Sequence, residues 1–417
     1  MAEYGSGGTS AMTPEREAQI GAWQYERSND PRGYYAKLRA KCPVDFETHM
    51  RAGTNDAGLP IAAVLNRADI EEVLRNTDVF SSEMPLMGSA EPVIPLGVDP
   101  PLHSMYRRIL DPLFSPKKMA ALQPKVADHV NEFIDSFIDK GEVDFSAELA
   151  VPLPCLTFLS LLGLPGEELD DMVRWKDIMI RPDIVAGSIE AGMELQAKTA
   201  GDIYGRFAQE IEARRDAPRD DLISFFMTAE VDGGRRLTDG EILRILFLLL
   251  AAGLDTVTIS LQAIFNYLAT HPEAQQMIHE HPEQIDNVIE ELLRWETPVQ
   301  NLSRIAKVDT ELSGCPIPAG TNVLAALSSG NVNEENPESL TVDLTRGDKA
   351  HLSFGGGNHR CLGSHLARME LRTVLREWHK RIPFYSIKPG TNIEWVASSL
   401  RGIDYLPLMW TPEKGQS

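Results

Sequence analysis

Cysteine is scarce in this chain of 417 residues: there are four, at positions 42, 155, 315 and 361. No two form a CxxC pair, so the spacing offers neither a zinc site nor a thioredoxin-type motif. Four such separated thiols suit a reduced cytosolic protein better than a disulfide framework. Basic charge is also in short supply. Lys plus Arg number 40 against 61 Asp plus Glu, a formal charge of 40 − 61 = −21. An acidic surface repels nucleic acid and anionic membrane, so neither is an expected partner. Long apolar runs are missing as well. The longest, Ile245 to Leu254, has ten residues, against the ~20 that a membrane-spanning helix needs. The opening stretch MAEYGSGGTSAMTPEREAQ is small, polar and mixed in charge, unlike a signal peptide or an anchor, so a cytoplasmic location is expected. With no repeat, low-complexity tract or linker in view, residues 16–417 are expected to form one domain behind a flexible stretch at 1–15.

What is present is a helical pattern. Thr238, with Glu241 three residues on, has capping-box spacing. The segment behind it, ILRILFLLLAAGLDTVTISLQAIFNYLAT, runs to a stop at His271-Pro272 and is apolar nearly all round, so a helix through the middle of the molecule is predicted. PEQIDNVIEELLRWE, ended by Pro298, reads as a second helix, and a third runs from about Leu362 to Lys380. Strand-like alternation is confined to IAAVLN near 61, RIAKVDTEL near 304, NVLAAL near 322 and the tail YLPLMW. The fold class is therefore mostly α, an α+β protein with a minor β region. Fourteen Met and fourteen Phe could line an adaptable apolar cavity.

The densest chemical signal is HLSFGGGNHRCLGSHLARMEL. Gly355 to Gly357 allow the backbone to approach something flat or bulky. Cys361 follows, then Gly363, then a helical pattern, so a thiolate there would gain from the helix dipole and exposed N–H groups. No GxxxxGK[ST] accompanies the glycines, which removes a phosphate loop, and a Cys presented in this way is a good soft metal ligand. Phe354-Gly355-Gly356-Gly357-Asn358-His359-Arg360-Cys361-Leu362-Gly363 resembles the cysteine-ligand loop of the cytochrome P-450 monooxygenases, and the resemblance extends over nearly the whole chain.

That resemblance implies haem b as cofactor, O2 as co-substrate and Cys361 as the axial ligand of the haem iron, with Phe354 and Gly355 against the macrocycle. Ala252-Gly253-Leu254-Asp255-Thr256 is similar to the family's oxygen-binding signature: Ala252 and Gly253 leave room beside the haem, and Asp255 and Thr256 are the catalytic acid–alcohol pair. A buried Asp in so apolar a helix is costly without a role. Glu291 and Arg294 match the family's ExxR pair, with Arg346 as third, structural member. His103 and Arg107, four apart and hence on one helical face, resemble the residues that hold haem propionates, joined by Arg304 and His359. His351 reads as a satisfied core histidine.

Among bacterial members the closest likeness is to the camphor-hydroxylase branch, through GLDTV, EELLR and HLARMEL. Glu91 stands where the camphor enzyme has a tyrosine donor, so camphor itself is not expected to be a good substrate. The expected pocket comprises Leu86, Met87, Val93, Leu96, Leu248, Ala251, Val299, Gln300, Asn301 and Leu400. With Leu and Met dominating, a small monoterpenoid-like substrate is the first expectation, and a steroid or fatty acid the alternative. A non-catalytic haem sensor or electron carrier would not need Asp255 and Thr256. The implied partners are a two-iron ferredoxin with its reductase, and a monomer is expected. Arg107, Arg108, Lys117, Lys118, Arg360, Arg368, Arg372 and Arg376 would supply a basic docking face on an acidic protein.

Overall fold

The computed structural model describes residues 25–46, 61–84, 91–347, 350–397 and 400–412. Its strands are β1 Val44–Asp45, β2 Ile61–Val64, β3 Phe80–Ser81, β4 Glu142–Asp144, β5 Leu302–Ala306, β6 Thr310–Leu312, β7 Cys315–Ile317, β8 Asn322–Ala325, β9 Ser386–Ile387, β10 Trp395–Ala397, β11 Arg401–Ile403 and β12 Pro407–Met409. The helices are α1 Pro31–Arg39, α2 Arg67–Arg75, α3 Leu102–Leu110, α4 Pro116–Phe137, α5 Pro152–Leu162, α6 Leu169–Ile180, α7 Pro182–Ala186 and α8 Ile189–Asp216. They continue with α9 Leu222–Thr228, α10 Asp239–Thr270, α11 Pro272–Glu280, α12 Ile285–Glu296, α13 Leu327–Asn331 and α14 Ser364–Arg381.

Helix α10 organises the molecule. Its start is fixed by the full capping box, in which the Thr238 hydroxyl accepts from the Glu241 N–H and the Glu241 carboxylate accepts from the Thr238 N–H. Pro272 ends it. The helix is long and apolar enough to cross a bilayer, yet 67% of its most apolar window is buried inside the protein. It is a core helix, as its all-round apolar pattern predicts.

Two apolar cores meet along it. Leu246, Phe247 and Leu250 pack with Phe158 and Leu162 of α5, Trp175 of α6 and Phe207 of α8. About three to four turns further on, Leu261 and Phe265 join Phe137 of α4, Phe145 and Trp378 of α14. There Phe145 and Phe265 stack at 4.0 Å. Between these cores lies the segment Ala252 to Thr256, where Ala252 and Gly253 have neither core for a neighbour and remain exposed. The site opens at this junction.

The largest sheet has strand order β1-β2-β8-β5-β3, with β2 and β8 parallel and the other pairs antiparallel. In β5 Arg304 lies opposite Val323 of β8, which pins it at a buried position. All four predicted strand regions and all three predicted helices are present. Their boundaries move by a few residues: the second helix opens with a 3-10 turn over 282–284 before α12, and the third spans 364–381.

Candidate functional site

The cysteine loop is set by its backbone. The Cys361 N–H donates to the Phe354 carbonyl at 2.8 Å, closing a tight loop around the three glycines. Gly357 has φ +62°, and a Cβ there would fall 2.3 Å from the Leu74 carbonyl oxygen of α2, so only glycine fits. Gly363 is the N-cap of α14. Burial pushes the Cys361 thiol up, while the Gly363 N–H and then Arg107, Arg360 and Arg368 pull the other way.

Cys361 faces a largely apolar cavity. Its walls are apolar, from Pro95, Leu96, Leu248, Val299, Leu302, Phe354 and Leu362, with Ala252, Gly253 and Thr256 opposite the cysteine loop. At one edge His103, Arg107, Arg304 and His359 converge. The two imidazoles lie 4.0 Å apart. Both ring nitrogens of His103, Nε2 of His359 and Nη2 of Arg304 are buried without a hydrogen-bond partner. The pKa values register the same deficit. Burial, then Arg107, lowers His103 to about 4. Burial, then His103 and Arg304, lowers His359 to about 3. Burial lowers Arg304 to about 10.

Buried polar groups without partners are costly, and a cluster of two imidazoles and two guanidinium groups calls for anions. A macrocycle with two carboxylates meets the demand, and the apolar slot and soft thiolate meet the rest of its chemistry, so haem fits. Among the described residues no cluster of three or more His, Cys, Asp or Glu could hold a metal by itself.

Across the cavity, Thr256 Oγ1 donates to the Ala252 carbonyl at 3.1 Å. Asp255 points the other way, into protein, where Lys176 Nζ donates to it at 2.9 Å. Lys176 also donates to Asp177 at 2.6 Å. Arg181 joins Asp177 at 3.2 Å and pairs with the exposed Asp404. This chain of charges leads from solvent to Asp255. Burial opposes the charge on Lys176, but Asp255 and Asp177 outweigh it and its pKa is raised. A methyl at Gly253 would meet nothing within 4 Å, so the space beside Thr256 is open.

Glu291, Arg294 and Arg346 come together in the structure. Arg294 grips Glu291 through two bonds of 2.7 and 2.8 Å, and Arg346 donates to the same carboxylate at 3.2 Å. His351 is satisfied by Glu290 at 3.2 Å.

The pocket expectations need correction. Leu96, Leu248 and Val299 line the cavity, but Val93, Ala251, Gln300, Asn301 and Leu400 do not. Val93 and Ala251 are buried in protein. Gln300 turns back to donate to the Glu296 and Thr297 carbonyls, and Leu400 bridges Val299 from behind. Leu86 and Met87 lie outside the described residues. Glu91 is turned outwards, its side chain 71% exposed and 3.0 Å from Arg244.

Two residues of the site escape sequence reasoning. Lys176 sits in WKDIMIR, where nothing marks one lysine as buried. Glu370 of α14 lines the cavity, is buried with one oxygen unpartnered, and is pushed up to about 8 by burial, eased only by the Thr157 hydroxyl.

A cysteine-loop cavity with this donor set suits a haem protein. The cytochrome P450 family model matches residues 169–378, and the chain belongs to that family. It is 36% identical to a probable cytochrome P450 127A1 of Sinorhizobium fredii over 83% of each chain. It is 28% identical to the steroid C26-monooxygenase of Mycobacterium tuberculosis over 96% of this chain and 99% of that protein. Among solved structures, CYP109E1 from Bacillus megaterium in complex with corticosterone superposes with a TM-score of 0.81 at 28% identity, covering 92% of this chain and 99% of that one. These likenesses do not single out the camphor-hydroxylase branch. The protein is an oxidoreductase, a cytochrome P450 monooxygenase that uses haem b and O2 and draws electrons from redox partners.

Proposed function

We propose that this monooxygenase hydroxylates an apolar substrate of steroid size, with electrons from a two-iron ferredoxin, and that Cys361 is its axial iron ligand. The observation that carries the ligand assignment is the set of unpartnered buried donors ringing a cavity onto which Cys361 opens. When bound, haem supplies reductive activation of O2 and transfer of one oxygen atom to carbon.

The protein's own residues do the rest. His103, Arg107, Arg304 and His359 would hold the two propionates, which would give the unpartnered nitrogens their partners. Gly355 and Phe354 would support the haem from the cysteine loop. Apolar walls exclude water from the substrate side. Asp255 takes protons from the Lys176–Asp177–Arg181 chain. The Thr256 hydroxyl, released from the Ala252 carbonyl, passes them into the open space beside Gly253. Adjacent helical residues point about 100° apart, so Asp255 faces the route and Thr256 faces the cavity.

For the substrate, the cavity walls away from the histidine–arginine edge are apolar, which suits a steroid. One relative is named for steroid C26 oxidation, and another was solved in complex with corticosterone. A monoterpenoid is the weaker reading. Titrating the protein with a steroid panel and with monoterpenoids, camphor included, while following the low-to-high-spin absorption change separates the two. Steroids should bind at least tenfold more tightly, and a complete spin shift with tight binding of camphor would refute the steroid assignment.

A further inference from the structure

Cys42 and Cys315 are 273 positions apart in sequence, yet their Sγ atoms lie 3.6 Å from each other. A disulfide needs about 2.05 Å, so the remaining gap is about 1.5 Å, within reach of small side-chain rotations. Each sulfur sits at the edge of a fixed element. Cys42 follows α1 and precedes Pro43 and β1, which is paired into the main sheet. Cys315 opens β7 directly after a tight turn in which Ser313 and Gly314 have φ of +46° and +78°. The Ser313 hydroxyl is tied to Asp69 of α2, which holds that turn in place. Val44, Leu312 and Ile317 share one apolar cluster, and Cys315 packs against it. The two thiols are therefore held together by packing from both sides.

Both sulfurs are only half-buried, so a small oxidant can reach them, whereas Cys155 is fully buried and its thiol is pushed up to about 12. We propose that Cys42 and Cys315 form an oxidative modification site, converted by hydrogen peroxide to a reversible disulfide that ties the β6–β7 hairpin to the main sheet. Peroxide is the two-electron, two-proton reduction product of O2 and is released wherever O2 reduction and hydroxylation become uncoupled. In the first step one thiolate attacks a peroxide oxygen. The O–O bond breaks, hydroxide leaves and takes a proton as water, and the sulfur becomes a sulfenic acid. In the second step the other thiolate attacks that sulfur, the S–O bond breaks, and a second water leaves. Two thiols and one peroxide thus give one disulfide and two waters, the sulfurs losing two electrons and the peroxide gaining them. Burial and the adjacent Cys42 sulfur push the Cys315 thiol up; either thiol can make the first attack, and the other then resolves the sulfenic acid.

The test treats the purified holoprotein with hydrogen peroxide, blocks remaining thiols with an alkylating agent under denaturing conditions, and maps peptides by mass. A Cys42–Cys315 cross-linked peptide is expected, two hydrogens lighter than the sum of its parts and released by dithiothreitol. It should persist in Cys155→Ser and be absent from both Cys42→Ser and Cys315→Ser. The oxidised wild type should also melt roughly 5 °C above the reduced form, because a long loop is closed in the unfolded chain. If both cysteines remain alkylatable after treatment, or each is oxidised singly without cross-linking, the proposal is overturned.

Discussion

Thr256 is the residue whose replacement separates binding from chemistry. Removing its hydroxyl leaves the cavity walls intact, so Thr256→Ala should bind substrate and consume reductant as before while most of the electrons emerge as hydrogen peroxide. Product formed per reductant consumed is the readout, and full coupling would assign proton delivery elsewhere. Asp255→Asn removes the carboxylate without removing volume and should slow turnover about 100-fold or more. Glu370 gives a pH signature. Its folded-state pKa, about 8, is raised above the value near 4.5 of an unfolded chain, so between these limits the folded state holds a proton that the unfolded state has lost. Stability therefore falls as pH rises from about 4.5 to 8. Glu370→Gln should remove that slope and stabilise the protein by about 3 kcal/mol at pH 7; equal pH dependence of denaturant unfolding in both proteins would contradict this. At this scale the sequence exposes residues embedded in short patterns, such as Cys361, Asp255 and Thr256. It hides Lys176 and Glu370, because their burial depends on packing between α6, α10, α5 and α14 that no local pattern encodes.

At the level of elements, α10 was legible in nearly full detail: a capping box, an apolar circumference and a proline stop are all local signals. The four strand regions were legible as well, because alternation is also local. Their pairing was not, since β2 meets β8 in register Ile61 to Asn322, 261 positions apart. The substrate walls were only half legible for the same reason. Whether Ala251 or Ala252 faces the cavity is a matter of helix rotation, and the bend after α12 that turns Gln300 onto its own backbone depends on Thr297 at φ +42°. The α12 triad carries an element-scale prediction. Glu291 is buried and neutralises two arginines, so Glu291→Ala leaves both without their carboxylate and should cost about 3–5 kcal/mol. Thermal unfolding and haem retention would both fall; unchanged unfolding would mean that the backbone carbonyls of Asn331, Ser339 and Thr341, which also accept from Arg294, suffice alone.

On the scale of the whole molecule, the charge of −21 and the expected basic docking face pull in opposite directions. Four of the eight cations in that face are already engaged: Arg107 with Asp111, Arg108 with Asp232, Arg368 with Glu290 and Arg372 with Asp286. Steering of an acidic ferredoxin then rests on Lys117, Lys118, Arg360 and Arg376, a weaker field than the sequence alone implies. Electron-transfer rates should fall only severalfold between low and physiological ionic strength, and no fall at all would exclude charge steering. The central claim, that the cavity holds haem through the Cys361 thiolate, has a more direct test. Absorption spectra of the reduced protein with carbon monoxide, recorded for wild type and Cys361→His, read the ligand itself. The wild type should give the strongly red-shifted main band of thiolate ligation and Cys361→His the shorter-wavelength band of histidine ligation, whereas an identical band in both would contradict the account.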